Sequence, residues 1–140
     1  MPGIPGIKMS PLDRINTLDS LFLPSNLAQT LKTKGFDEPC FGWYDLKRGE
    51  SELLHPPKSE LHRNSEWSSV SAPLYQQVIL WLLNKGFVLQ TEWLPKEKAW
   101  LCDIYDKRGD FIFSHPAEQA CQTIQEAWNL GIEKAMAYIR

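Results

Sequence analysis

The chain has 140 residues, 43% of them hydrophobic and 23% charged, with a net charge of −2. That length supports one domain with a real core, and that composition is ordinary for a globular protein. Residues 1–70 carry eight Lys/Arg against nine Asp/Glu and residues 71–140 seven against eight, so neither half is the basic module that phosphate binding demands.

The chain opens "MPGIPGIKMSP", rich in Pro and Gly. It has neither the charge nor the apolar stretch of a secretory leader, so residues 1–20 read as a loose tail ahead of a single α+β domain at 21–140. The longest apolar run, Val78–Leu83, falls far short of the roughly 18 residues that a membrane span needs. Cys40, Cys102 and Cys121 are odd in number and widely spaced, without a C-x-x-C pair. They read as reduced, mostly buried thiols of a cytoplasmic protein.

Ser25 is placed to cap a short helix over 26–34, with Leu27, Ala28 and Leu31 on one face. That helix ends in "LKTKGF" and a later one ends in "LLNKGF". In each phrase the glycine suits a left-handed helix stop, the following Phe suits a fold back onto a leucine of the last turn, and the preceding lysine suits the negative end of the helix. The repetition marks two helix-to-strand junctions. Shared punctuation explains it, and so would duplication, since "YDLKRG" and "YDKRG" follow in the same order.

"CFGWYD" predicts a strand over 40–45, "LKRG" a turn and "SELLH" a return strand. Residues 56–70, polar with two prolines, predict a flexible loop. A helix is expected over 72–85, with Pro73 in its first turn. Its apolar residues, from Leu74 to Leu83, cover more than half the helical circumference, so cover from two sides is expected. Leu80 falls in the polar sector between Gln76 and Asn84.

Strands are expected at 87–94, 98–105 and 111–113, with Gly109 left-handed in the intervening "DKRGD" turn. Along the middle strand Trp100, Cys102 and Ile104 alternate with Leu101, Asp103 and Tyr105, as in an antiparallel sheet covered on one face. A final helix is expected from Pro116 to near the end, its small residues Ala120, Ala127 and Gly131 allowing close approach to a neighbour. The expected architecture is an antiparallel sheet of about four to five strands with two long helices on one face, the C-terminal half in the order α-β-β-β-α.

Familiar site chemistry is not visible. His55, His62 and His115 lack zinc-site spacing and read as surface residues without a metal. Cys40 has Asp37 and Glu38 nearby, which disfavours a thiolate. No Ser-centred elbow or phosphate-binding glycine loop occurs, so no cofactor is expected. The α-β-β-β-α order is that of a double-stranded-RNA-binding domain, but "SHPAEQACQ" offers no Lys or Arg where that family grips phosphate.

The stretches "KGFDEPCFGWY" and "APLYQQV", together with "ACQTIQEAWNLGIEKAMAYI", carry a resemblance. Over most of residues 21–140 the chain resembles a group of small uncharacterised proteins of gut-bacterial genomes and their mobile elements, including phages. The resemblance implies a cytoplasmic bacterial or phage origin and supplies no catalytic motif. The resulting expectation is a non-enzymatic interaction domain that binds another protein or self-associates, through a surface that includes Leu80, Leu101 and Tyr105. The alternatives are a nucleic-acid binder that stacks bases on exposed aromatics, and an enzyme whose site is assembled from distant residues.

Overall fold

The computed structural model describes residues 19–47, 53–54, 61–65 and 68–140. Of the expected tail, only Asp19 and Ser20 lie among them; they begin a single 3-10 turn, Asp19–Leu21. Among the described residues the architecture is α+β, with three α-helices and two three-stranded antiparallel sheets. The single sheet of four to five strands expected from the sequence is therefore replaced by two smaller ones.

Helix α1, Ser25–Thr33, buries Leu27, Ala28 and Leu31. Pro24, rather than Ser25, occupies the N-cap, and the Ser25 hydroxyl instead accepts from Gln29 Nε2 at 3.1 Å. The stop is a complete Schellman motif. Gly35 has φ +95°, its N–H donates to Lys32 O at 3.1 Å, and the Phe36 N–H reaches Leu31 O at 3.2 Å.

The first sheet runs in the order β2-β1-β3, with β1 at Gly42–Asp45, β2 at Leu53–Leu54 and β3 at Ser69–Ala72. β3 begins inside the stretch that reads as a loop, and all four of its residues are buried. Its serines made it look polar. Their hydroxyls are absorbed by partners inside the fold, as shown below. The described part of that stretch is also pinned further upstream, where His62 exchanges backbone hydrogen bonds with Cys40 at 2.8 and 2.9 Å.

Helix α2, Tyr75–Asn84, starts three residues later than expected because Ser71 and Ala72 belong to β3. At its start, Gln77 Oε1 accepts from the N–H of the N-cap residue Leu74 at 3.1 Å. Its cover comes from two sides, as its wide apolar arc requires. Trp81 meets the Phe36 ring edge-on, centroids 5.6 Å apart, and Tyr75 packs on Trp128 at 5.1 Å. The first "KGF" thus packs on the helix that the second one ends. Gly86, at φ +102°, closes α2. The lysines before the two glycines also bind elsewhere: Lys34 Nζ donates to Ile139 O at 2.7 Å, and Lys85 Nζ lies 5.2 Å above the Trp81 ring.

The second sheet has the order β4-β5-β6, with β4 at Phe87–Leu94, β5 at Ala99–Asp106 and β6 at Phe111–Phe113. β4 pairs with β5 in continuous register from Phe87↔Asp106 to Leu94↔Ala99. The β5–β6 turn has Gly109 at φ +91°, and the Asp106 carboxylate accepts from the N–H groups of Arg108 and Asp110 at 2.9 and 3.0 Å.

The long helix expected from Pro116 is divided. A 3-10 turn, Ala117–Gln119, comes first; Cys121 then pairs with Trp100 as an isolated bridge, and α3 spans Ile124–Met136. The pairing with β5 holds Ala120 and Cys121 extended, and α3 restarts with its own capping box. Thr123 Oγ1 accepts from Glu126 N at 3.1 Å while Glu126 Oε1 accepts from Thr123 N at 3.2 Å. Gly131 lets α3 sit close to β5, because a Cβ there would collide with Cys102 Sγ. The C-terminal half therefore keeps the α-β-β-β-α order, and one core cluster gathers side chains from Phe22 to Met136.

Candidate interaction surface

The three surface candidates fare differently. Leu80 projects from α2 and is 60% exposed. Leu101 is buried, 8% exposed, which corrects its assignment to an open sheet face. It stands opposite Glu92 in the β4–β5 ladder, between Ala99 and Asp103 on the same face. Tyr105 is half-buried, its ring 4.5 Å from that of Phe111, and Phe111 is the exposed member of the pair at 60%.

Leu80 does not stand alone. Leu83, one turn on, is 40% exposed although a helical wheel puts it within the apolar arc. One turn back, Gln76 helps to line an apolar notch of about 230 Å³ with Leu21, Leu74, Tyr75 and Trp128. The spacing 76, 80, 83 places these residues along one side of α2. The result is a strip from the Leu21–Trp128 notch to Leu83. The i, i+3 relation of two leucines was readable in sequence; the notch was not, since Leu21 and Trp128 meet only through folding.

The described residues also line two larger hollows. One, of about 500 Å³, is lined by residues that include Asp19, Tyr44, Tyr75, Thr123 and Asn129. The phenols in its wall are committed inward: Tyr44 Oη donates to Leu23 O at 2.8 Å and Tyr75 Oη to Asn129 Oδ1 at 2.6 Å. Burial pushes both up to about 12, with Asp19 adding to the rise at Tyr44 and the Asn129 bond offsetting part of it at Tyr75.

The other hollow, about 490 Å³, has His62, Ser69, Trp43, Lys47 and Arg63 among its lining residues. His62 stacks on Trp43 at 5.5 Å, nearly parallel. Its Nδ1 lies 2.7 Å from Ser71 Oγ and its Nε2 2.9 Å from Ser69 Oγ. The two serines sit at i and i+2 of β3, on one face. A serine hydroxyl can donate or accept, so each ring nitrogen has a partner whichever tautomer is present. Sequence spacing of seven and nine residues gave no hint of this group.

Cys40, Cys102 and His115 are held inside the fold. Cys40 donates to Glu38 O at 3.3 Å, and burial pushes its thiol up to about 12, partly offset by a Ser71 hydrogen bond. Burial likewise pushes Cys102 up to about 12. A thiol this hard to ionise is a poor nucleophile. His115, which reads as a surface residue, is buried at 3% exposure. Its Nδ1 accepts from Cys102 N at 3.0 Å, so its proton is on Nε2, which donates to Gln119 O at 2.8 Å. His55 lies outside the described residues. Among the described residues no group of three or more His, Cys, Asp or Glu is placed to hold a metal ion, and no helix is long and apolar enough to cross a membrane. No family profile, curated protein or solved structure matches this chain.

Proposed function

We propose that this chain is a non-enzymatic protein-interaction domain of cytoplasmic bacterial or phage origin, with the outer side of α2 as its contact surface. The observation that carries the proposal is the exposure of Leu80 and Leu83, at 60% and 40%, one turn apart on a helix whose other side is fixed in the core. Together with the Leu21–Trp128 notch they form an apolar strip, the kind of surface that marks contact sites. The test is affinity purification of the full chain from its host, alongside Leu80→Glu. A protein partner captured by the parent chain and lost in the variant is expected. Equal capture by both, or recovery of nucleic acid alone, would overturn the reading.

Two other readings each have one observation in favour. A nucleic-acid binder is favoured by the α-β-β-β-α order, but its usual phosphate-gripping position at the last helix has no basic residue. The charge balance leads us to expect no salt-sensitive binding to a duplex of about 20 base pairs near physiological salt. An enzyme is favoured by the Ser69–His62–Ser71 relay, where a hydroxyl stands 2.9 Å from a ring nitrogen at a cavity wall. Labelling by a serine-directed phosphonate that Ser69→Ala abolishes would establish that activity; the interaction reading expects no labelling.

A further inference from the structure

Along the side of β5 that faces away from β4, the backbone N–H groups are taken. Beyond β5 lies β6, and the positions past β6 are also filled. The Cys102 N–H donates to the His115 ring at 3.0 Å, and Trp100 exchanges backbone bonds with Cys121 at 2.7 and 2.8 Å. These bonds fix the parity of β5. The N–H groups of Trp100 and Cys102, and that of Asp106, which donates to Asp110 O at 2.9 Å, point away from β4. Alternation then turns Ala99, Leu101, Asp103 and Tyr105 toward β4, where their partners are Leu94, Glu92, Gln90 and Val88.

It follows that Phe87, Leu89, Thr91 and Trp93 direct their backbone N–H and C=O groups out of the sheet. No described residue pairs with that edge. Not one of the eight β4 residues is buried, whereas all four of β3 are. Several protections of an open edge are missing: β4 contains no proline and no lysine, its ladder with β5 has no bulge, and Glu92 is its one charged residue.

The sequence of this edge says what fits it. Around Thr91, "VLQTEWL" has the same class of residue at equal distances on either side: Gln90 and Glu92, Leu89 and Trp93, Val88 and Leu94. A strand with that symmetry is complementary to itself run antiparallel. We infer that the open edge of β4 pairs with β4 of a second copy, antiparallel about a two-fold axis at Thr91, to join the two three-stranded sheets into one.

In that register Thr91 faces its own counterpart, and the outward parity makes this a hydrogen-bonded pair. Leu89 and Trp93 of opposite copies form the flanking bonded pairs. Glu92 stands across from Gln90, so no like charges oppose each other. Val88 meets Leu94 on the outer face. Pro95, which has no N–H, would face Phe87, and the pairing ends there. Such an interface is isologous, as a closed dimer requires. It is independent of the α2 strip, so the two readings can fail separately.

Sedimentation velocity on the full chain over a range of micromolar concentrations should show a species of twice 16.1 kDa. Thr91→Pro removes an N–H that β5 does not use and should leave a folded monomer. In a Cys102→Ala, Cys121→Ser background, which removes the thiol opposite position 91 in β5 and the half-exposed one, T91C should oxidise to a covalent dimer, since residues in a bonded antiparallel pair are within disulfide reach; N84C, on α2, should not. A single 16.1 kDa species at every concentration would overturn the inference. So would a dimer that persists in folded Thr91→Pro, or one abolished by Leu80→Glu and not by Thr91→Pro. Should Thr91→Pro fail to fold, the cross-link decides, and its absence sinks the proposal.

Discussion

Two glycines show why the same residue type is needed for different reasons. Gly86 has open space where a Cβ would go, but its φ of +102° is a conformation that side chains resist. Gly86→Ala is expected to cost about 1 kcal/mol or more, read as a lowered denaturation midpoint. Gly131 lies within α3, and there the space is taken by Cys102 Sγ. Gly131→Ala should destabilise by about 1–3 kcal/mol through overpacking. Cys102→Ala in the same chain should recover part of the loss, because it removes the atom in the way. Independent, additive effects in a double-mutant cycle would show that α3 and β5 do not meet there.

At the scale of elements, His115 finishes a strand edge that β6 is too short to cover. It substitutes a ring nitrogen for a backbone carbonyl, and its own N–H donates to the Asp103 carboxylate at 2.8 Å. His115→Ala leaves the Cys102 N–H without its acceptor in a buried site. A loss of about 1–3 kcal/mol is expected, measured by chemical denaturation. The start of α3 depends on Thr123 in a similar way, and Thr123→Ala should cost about 1 kcal/mol. An unchanged midpoint in Thr123→Ala would mean that the Glu126 capping box does not hold the helix start.

For the whole molecule, the buried thiols and phenols give a response to alkaline pH. Cys40 and Cys102 are raised from 9.0, and Tyr44 and Tyr75 from 10.0, each to about 12 by burial. A raised acid binds its proton more tightly when folded, so the unfolded chain releases protons first as pH climbs. Stability from these groups is therefore intact below pH 9 and is lost between about pH 9 and 12. Thermal melts across that range should show a progressive fall, and a melting temperature that rises there would contradict the burial of these side chains. The core also binds the two halves together through Phe36 on Trp81 and Lys34 on Ile139. A 71–140 fragment is accordingly expected to aggregate or self-associate; a well-behaved monomer in light scattering would show the C-terminal α-β-β-β-α unit to be complete alone.

Local chemistry was written in the sequence wherever one residue decides it. Gly35, Gly86 and Gly109 take positive φ because only glycine does so without a steric cost, and the alternation of 87–94 against 98–105 fixed an antiparallel pair. Leu80 was readable as exposed because a helical wheel needs no partner to be drawn. What folding alone decided were meetings between distant residues. The first half of β3 looked like loop because its serine is polar, and the His62 ring, brought over by the Cys40 bridge, gives the hydroxyls of Ser69 and Ser71 partners inside. Leu101 looked open because alternation assigns a face without saying what closes over it. The last helix looked continuous because helical periodicity cannot register that β5 holds Cys121 in an extended pairing. Polar residues bury, and apolar ones stay exposed, according to partners that lie far away along the chain, and those partners exist only in the folded state.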